Sequence, residues 1–135
     1  VQNEKSSIND IFAKKGEKYF RILETETLKQ VLQSDNQIIS TGGGIIKSDE
    51  NIKLLKSNSI VFYLKTNIET LIKRAKKDTQ RPLLNDCDVN TKIKNLLKER
   101  EPQYLKAHYV IDTNNKSVEQ ITKDITEKVY EKNRC

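Results

Sequence analysis

The 135-residue sequence predicts an α/β fold built on a parallel sheet. Apolar runs of strand length, at residues 37–41, 60–64 and 108–112, alternate with longer segments of helical period, the order expected of βαβ units. The run Ile60-Val61-Phe62-Tyr63-Leu64 is continuously apolar, as a strand covered on both faces is. Three glycines, Gly42, Gly43 and Gly44, follow directly on the first run, at the carboxyl edge where such folds place their sites.

Taken in order, Ser6 or Ser7 caps a helix in which Ile8, Ile11 and Phe12 fall at i, i+3 and i+4, until Gly16 interrupts it. A second helix is predicted over residues 17–33, with Phe20, Leu23, Val31 and Leu32 as its apolar stripe and Arg21 and Glu24 meeting on one face. The first strand and the glycines follow, then a short helix carrying Ile52, Leu54 and Leu55. After the strand at 60–64, Thr66 and Glu69 make an S/T-x-x-E capping box for a helix with Ile68, Leu71, Ile72 and Ala75 on its inner side. Residues 76–89 lose all periodicity. A helix over about residues 90–100 leads to the strand at 108–112. A last helix is opened by Ser117 and Gln120, with Val118, Ile121, Ile125 and Val129 inward. There is no internal repeat and no low-complexity segment.

Hydrophobic residues make up 35% of the chain and charged residues 33%. Leu, Ile, Val and Phe together still reach about 27%, above the ~20% below which chains rarely bury a core. One compact domain over residues 1–135 is the expected organisation. No apolar run approaches the ~20 residues that span a bilayer and the start has no signal-peptide pattern, so a soluble, cytoplasmic protein without membrane contact is expected. The 25 Lys and Arg against 19 Asp and Glu give a net charge of +6. That balance suits nucleic acid, an acidic membrane face or a small anionic substrate. No aromatic-interleaved basic surface or recognised motif supports the first of these. Cys87 and Cys135 are too few for a disulfide scaffold, and a single His excludes a Cys/His metal cluster. The chain begins at Val1 in a charged segment that reads as the middle of something longer.

Three features are not explained by packing. Three successive residues without side chains cost conformational entropy, so the glycines are either a flexible turn or a place where backbone amides come close to an anion or hydroxyl. Arg100 falls at i+7, i+4 and i+3 from Ile93, Leu96 and Leu97, along the apolar face. It either snorkels at the helix end or grips a carboxylate or phosphate in fork geometry. Arg21 poses the same choice, with Glu24 either orienting it for a ligand or merely pairing with it at the surface. Residues 76–89, which contain Arg81-Pro82, are longer than most connections in a compact domain and are either a lid or disordered. An arginine in a lid can neutralise a transferring phosphoryl group.

Together these residues resemble the shikimate kinase family, small nucleoside-monophosphate-kinase-like members of the P-loop kinases. The resemblance covers nearly the whole chain. It rests on Phe20-Arg21 followed by Glu24, on Thr41-Gly42-Gly43-Gly44, on Arg81-Pro82-Leu83, on Glu99-Arg100 with Tyr104 four further on, and on Asp112-Thr113-Asn114. It implies the three-layer α/β/α P-loop kinase fold and phosphorylation of the 3-hydroxyl of shikimate by ATP with Mg2+, a step of aromatic amino-acid biosynthesis, in a cytoplasmic monomer. By resemblance Arg21 and Arg100 would bind the shikimate carboxylate, Glu24 would hold Arg21, and Gly42, Gly43 and Gly44 would line the pocket. Arg81 would be the lid arginine reaching the phosphates, and Arg74 would lie against the adenine. Ser40 holds the family's Walker-B-like position and would order a water on magnesium.

The departures from the family pattern are specific. No G-x-x-x-x-G-K-[ST] occurs in these residues, so the phosphate cradle with its Lys and its magnesium-binding hydroxyl is absent from them. The family's D-x-D pair is missing too, and the resemblance places Val1 shortly after it. It also places the absent first strand between the strands at Ile38 and Ile60, so that each would lose one partner. The expectation is that these 135 residues alone are poorly stable and do not transfer phosphate. Near Asn115 and Lys116 the family's arginine beside adenine has no counterpart, and Pro102 is expected to break or kink its helix. Two other readings stand beside this one. A related small-molecule kinase such as a gluconate kinase shares the fold, but Arg21, Glu24 and Arg100 suit a ring carboxylate better. A non-catalytic shikimate-kinase-like module would bind a ligand or partner without chemistry.

Overall fold

A computed structural model of the chain describes residues 8–77 and 89–133, with side chains from residue 15 onward. These residues form two compact units, residues 8–59 and residues 60–77 with 89–133.

In the first unit a helix, α1 (Ile8–Val31), is broken where the sequence predicts, because Gly16 takes φ 80° and ψ 170°. Only glycine adopts that conformation at low cost. Among the described side chains of α1 the buried one is Leu28, which the predicted stripe omits, while Phe20, Leu23 and Val31 are half-buried. After a turn at Asn36 (φ 54°), residues 37–42 run without any ladder, and Ile38 is fully exposed. The predicted strand at 37–41 is therefore not a strand among the described residues. A β-strand is made by its neighbour, and no described strand lies beside this segment to take its backbone groups. A 3₁₀ turn, Gly43–Lys47, leads into α2 (Asp49–Asn58), which Ser48 caps by accepting from the Asn51 amide at 3.3 Å. Ile45 and Leu55 complete the apolar core of this unit. Lys29 of α1 pairs with Glu50 of α2 at 3.0 Å.

The second unit is built on a parallel pair, β1 (Phe62–Lys65) and β2 (Tyr109–Asp112), in register Phe62 with Tyr109 and Lys65 with Asp112. Just before the pair the Val61 amide donates to His108 Nδ1 at 2.9 Å. Just after it the Thr113 amide donates to the Lys65 carbonyl at 2.9 Å, and the Thr66 and Thr113 hydroxyls meet at 2.7 Å. The strands start later than predicted, and Leu64 and Val110 are exposed. At its edges, among the described residues, β1 pairs with β2 alone.

Helices cover both faces of the pair. Tyr63 meets the Tyr104 ring of α4 (Val89–Tyr104) at 5.0 Å. On the opposite face Phe62 stacks on Tyr109, and Lys128 of α5 (Val118–Asn133) lies over the Tyr109 ring. The α5 capping box forms as predicted: the Ser117 amide donates to Gln120 Oε1 at 2.8 Å and the Gln120 amide to Ser117 Oγ at 3.2 Å. Ile121, Ile125 and Val129 are half-buried, but Val118 is 80% exposed, since the first turn of α5 has no packed partner there among the described residues.

The cap of α3 (Ile68–Lys77) is not Thr66, whose hydroxyl is taken by Thr113, but Asn67, whose Oδ1 accepts from the Thr70 amide at 2.9 Å. Pro102 does not break α4. It costs the helix one rung, but only two helical residues follow it, and the Leu105 amide still reaches the Glu101 carbonyl at 2.9 Å. Of the segment 76–89 predicted as a lid, residues 76 and 77 continue α3 and Val89 opens α4; residues 78–88, with Arg81, lie outside the described residues. No described helix is long and apolar enough to cross a membrane.

Candidate functional site

In the first unit α1 presents Arg21 and Glu24 one helical turn apart, and the pair is made: Arg21 Nη1 donates to both Glu24 oxygens at 3.1 and 3.3 Å. The side chains are only 22% and 14% exposed, so this is not the solvated surface pair that spacing alone allows. Arg21 Nη2 reaches Glu17 Oε1 at 3.5 Å, and Lys47 reaches the same oxygen at 2.9 Å. The hydrogen bond from Lys47, with Arg21 adding its charge, outweighs partial burial and holds the Glu17 carboxyl below its ordinary range. Arg21 Nε is buried with no hydrogen-bond partner among the described residues.

The three glycines have different reasons. Gly44 is buried under the Arg21 guanidinium, and a Cβ there would stand 2.7 Å from Arg21 Cζ, with the two terminal nitrogens nearer still. The arginine fills the space a side chain would need. A Cβ on Gly42 would meet open space, and Gly43 opens the 3₁₀ turn. That turn is braced from below by Asn51, 2% exposed, whose Nδ2 donates to the Ile45 carbonyl at 2.9 Å while its Oδ1 has no partner. Ser40 stands exposed in the unladdered segment.

In the second unit Arg100 is half-buried on α4, and its Nε and Nη2 are buried without a hydrogen-bond partner among the described residues. The next residue, Glu101, accepts from Tyr63 Oη at 2.6 Å and pairs with Lys65 at 3.1 Å. Burial, and then the bond to Glu101, push the Tyr63 hydroxyl well above its ordinary range. The Tyr63 bond in turn holds Glu101 low. Arg74 is exposed in the last turn of α3 with Lys76 and Lys77. Lys116 is engaged by Asp124 at 2.9 Å, and Asn114 ties the strand ends by accepting from the Asn67 amide at 2.8 Å. Among the described residues no group of three or more His, Cys, Asp or Glu side chains could hold a metal ion.

The structure thus brings together Arg21, Glu24 and Gly44 in one unit and places Arg100 and Arg74 in the other; Arg81 falls outside the described residues. Sequence reasoning missed Glu17, Lys47, Asn51 and the Tyr63–Glu101 contact. The Glu17–Arg21 spacing of four was a readable signal; the others join residues distant in sequence or look like ordinary surface polar residues.

The parallel strand pair set among helices, together with the likeness to a solved kinase reported below, defines an α/β fold of the P-loop kinase type. A family model for shikimate kinase matches residues 1–130, and the chain belongs to the shikimate kinase family. A shikimate kinase of Geobacter metallireducens is 41% identical over 126 residues, covering 93% of this chain and 70% of that protein. One from Bacillus cereus is 42% identical over 128 residues, covering 95% and 76%. Among solved structures, the shikimate kinase of Acinetobacter baumannii in complex with shikimate matches with a TM-score of 0.91 at 34% identity, covering 97% of this chain and 74% of that one.

Proposed function

We propose that the protein containing these residues transfers the terminal phosphoryl group of ATP to the 3-hydroxyl of shikimate. The observation that carries this reading is the pair of arginines whose buried N–H donors have no acceptor among the described residues, Arg21 Nε and Arg100 Nε and Nη2. Unsatisfied guanidinium donors are costly, and a carboxylate is the acceptor whose geometry suits them. Arg21 and Arg100 bind the shikimate carboxylate, Glu24 holds Arg21, and Gly42, Gly43 and Gly44 offer backbone to the same ligand. The family membership and the shikimate-bound relative support this choice of anion.

For ATP the donor set fits: Arg74, Lys76 and Lys77 close α3 with three cations, and Arg74 is the residue proposed against the adenine. Arg81 is proposed to neutralise the transferring phosphoryl group. For Mg2+ the described residues do not suffice, Ser40 offering only a hydroxyl that could hold a water. ATP supplies the phosphoryl group, and the arginines' work is to position two anions and screen their repulsion. The 135 residues by themselves are proposed to be poorly stable and inactive, a reading supported by the missing phosphate cradle and the bare segment at Ile38.

The test is shikimate-dependent ADP release by the product of the complete reading frame. Turnover with shikimate and not with gluconate is expected. A folded product with no shikimate-dependent turnover at any magnesium concentration would overturn the reading in favour of another substrate or a non-catalytic module.

A further inference from the structure

We infer that Tyr63 and Lys65 of β1 clamp Glu101 of α4 so as to aim Arg100, which makes Glu101 a positioning residue for the anionic group that Arg100 binds. The inference rests on the role proposed above for Arg100. Arg100 and Glu101 are consecutive on α4, about 100° apart around its axis, so fixing the azimuth of one fixes that of the other. Glu101 is fixed from the carboxyl end of β1: Tyr63 Oη donates to Oε2 at 2.6 Å and Lys65 Nζ approaches Oε1 at 3.1 Å. Tyr63 also meets the Tyr104 ring at 5.0 Å, so β1 holds α4 on either side of Pro102.

That is the stretch where α4 holds itself least well. Pro102 has no N–H to give to the Lys98 carbonyl, and one rung of the helix ladder is missing directly beside Arg100. Arg100 gains no orientation through Nε and Nη2, which have no hydrogen-bond partner among the described residues. Orientation must come from the backbone beneath, and the clamp sits on the adjacent residue. The raised Tyr63 hydroxyl and the lowered Glu101 carboxyl keep the pair as O–H donor and carboxylate acceptor through the neutral range.

The experiment measures shikimate and ATP affinity by titration calorimetry on the complete reading-frame product. Tyr63→Phe and Glu101→Ala are expected to raise the shikimate Kd roughly three- to tenfold, the scale of one hydrogen bond to a charged group, while leaving ATP affinity within about twofold. Glu101→Gln keeps an acceptor for Tyr63 and should recover most of the loss. In an Arg100→Ala background, Tyr63→Phe should have no further effect on shikimate, because the residue it aims is gone. Additive losses in that background, or equal losses of shikimate and ATP affinity, would reduce the clamp to a general structural tie. Should Tyr63→Phe not fold, Glu101→Ala carries the same comparison. Arg100→Ala with unchanged shikimate affinity would instead remove the carboxylate reading of Arg100, and the clamp inference with it.

Discussion

Gly44→Ala tests whether the glycine is there for Arg21. The new methyl would stand 2.7 Å from Arg21 Cζ, whereas carbon atoms rest about 3.5 Å apart, so the guanidinium must retreat by roughly 0.8 Å. Its bonds to Glu24 at 3.1 and 3.3 Å and to Glu17 at 3.5 Å cannot all survive that shift. Gly44 does not use a left-handed conformation, so alanine brings no backbone strain and removes unfolded-chain entropy worth about 0.4–1 kcal/mol. Loss of the part-exposed Arg21–Glu24 pair offsets that by about 1 kcal/mol. Stability should therefore move by less than about 1 kcal/mol in urea. Shikimate affinity should fall far more, by about 10- to 30-fold, as a bidentate guanidinium–carboxylate contact loses about 1.4–2 kcal/mol. The paired assays are urea unfolding and shikimate titration on the complete reading-frame product. Wild-type shikimate affinity in Gly44→Ala would refute the steric argument. So would a large loss of stability with affinity falling only in proportion to the unfolded fraction.

Asn51→Ala should cost about 1–3 kcal/mol in urea unfolding, because it strips the Ile45 carbonyl of its buried donor. Stability should also fall with acid: Glu17 and Glu101 titrate below their ordinary value of 4.5 in the folded protein. Their contribution is whole above that value and lost as pH drops through the lowered folded one. Unfolding curves from about pH 6 to about pH 3 should show the loss, and Lys47→Ala should flatten the part due to Glu17. In kinetics, Arg100→Ala should chiefly raise the shikimate KM, whereas Arg81→Ala should chiefly lower kcat; the reverse pattern would exchange their roles.

Features that depend on near neighbours in the chain were legible. The break at Gly16, the reciprocal Ser117–Gln120 cap and the meeting of Arg21 with Glu24 each follow from residues no more than four apart. The parallel alternation was readable because apolar period changes between segments. Features decided by distant partners were not. Thr66 looks like a cap until its hydroxyl finds Thr113, 47 residues on, and leaves Asn67 to do the capping. The segment around Ile38 has strand composition, but composition cannot supply the missing ladder. At the site, the sequence named Arg21 and Glu24 but could not say that they are half-buried, nor that Gly44 is bare because Arg21 lies over it. Asn51 and the Tyr63–Glu101 contact join residues up to 38 apart and carry no local pattern.

The chain's single histidine sits at the mouth of the parallel pair, and its Nδ1 accepts the Val61 amide proton at 2.9 Å. An accepting Nδ1 carries its lone pair toward the strand, so the ring must be the neutral tautomer with its proton on Nε2. An imidazolium has no lone pair to offer and would have to turn away. One ring nitrogen thus becomes a spectroscopic label that the protein already possesses. In an ¹⁵N spectrum a lone acceptor-type Nδ1 signal coupled to the Val61 amide would report closed strands, and its averaging with the other tautomer would report their opening, without any reporter group being introduced.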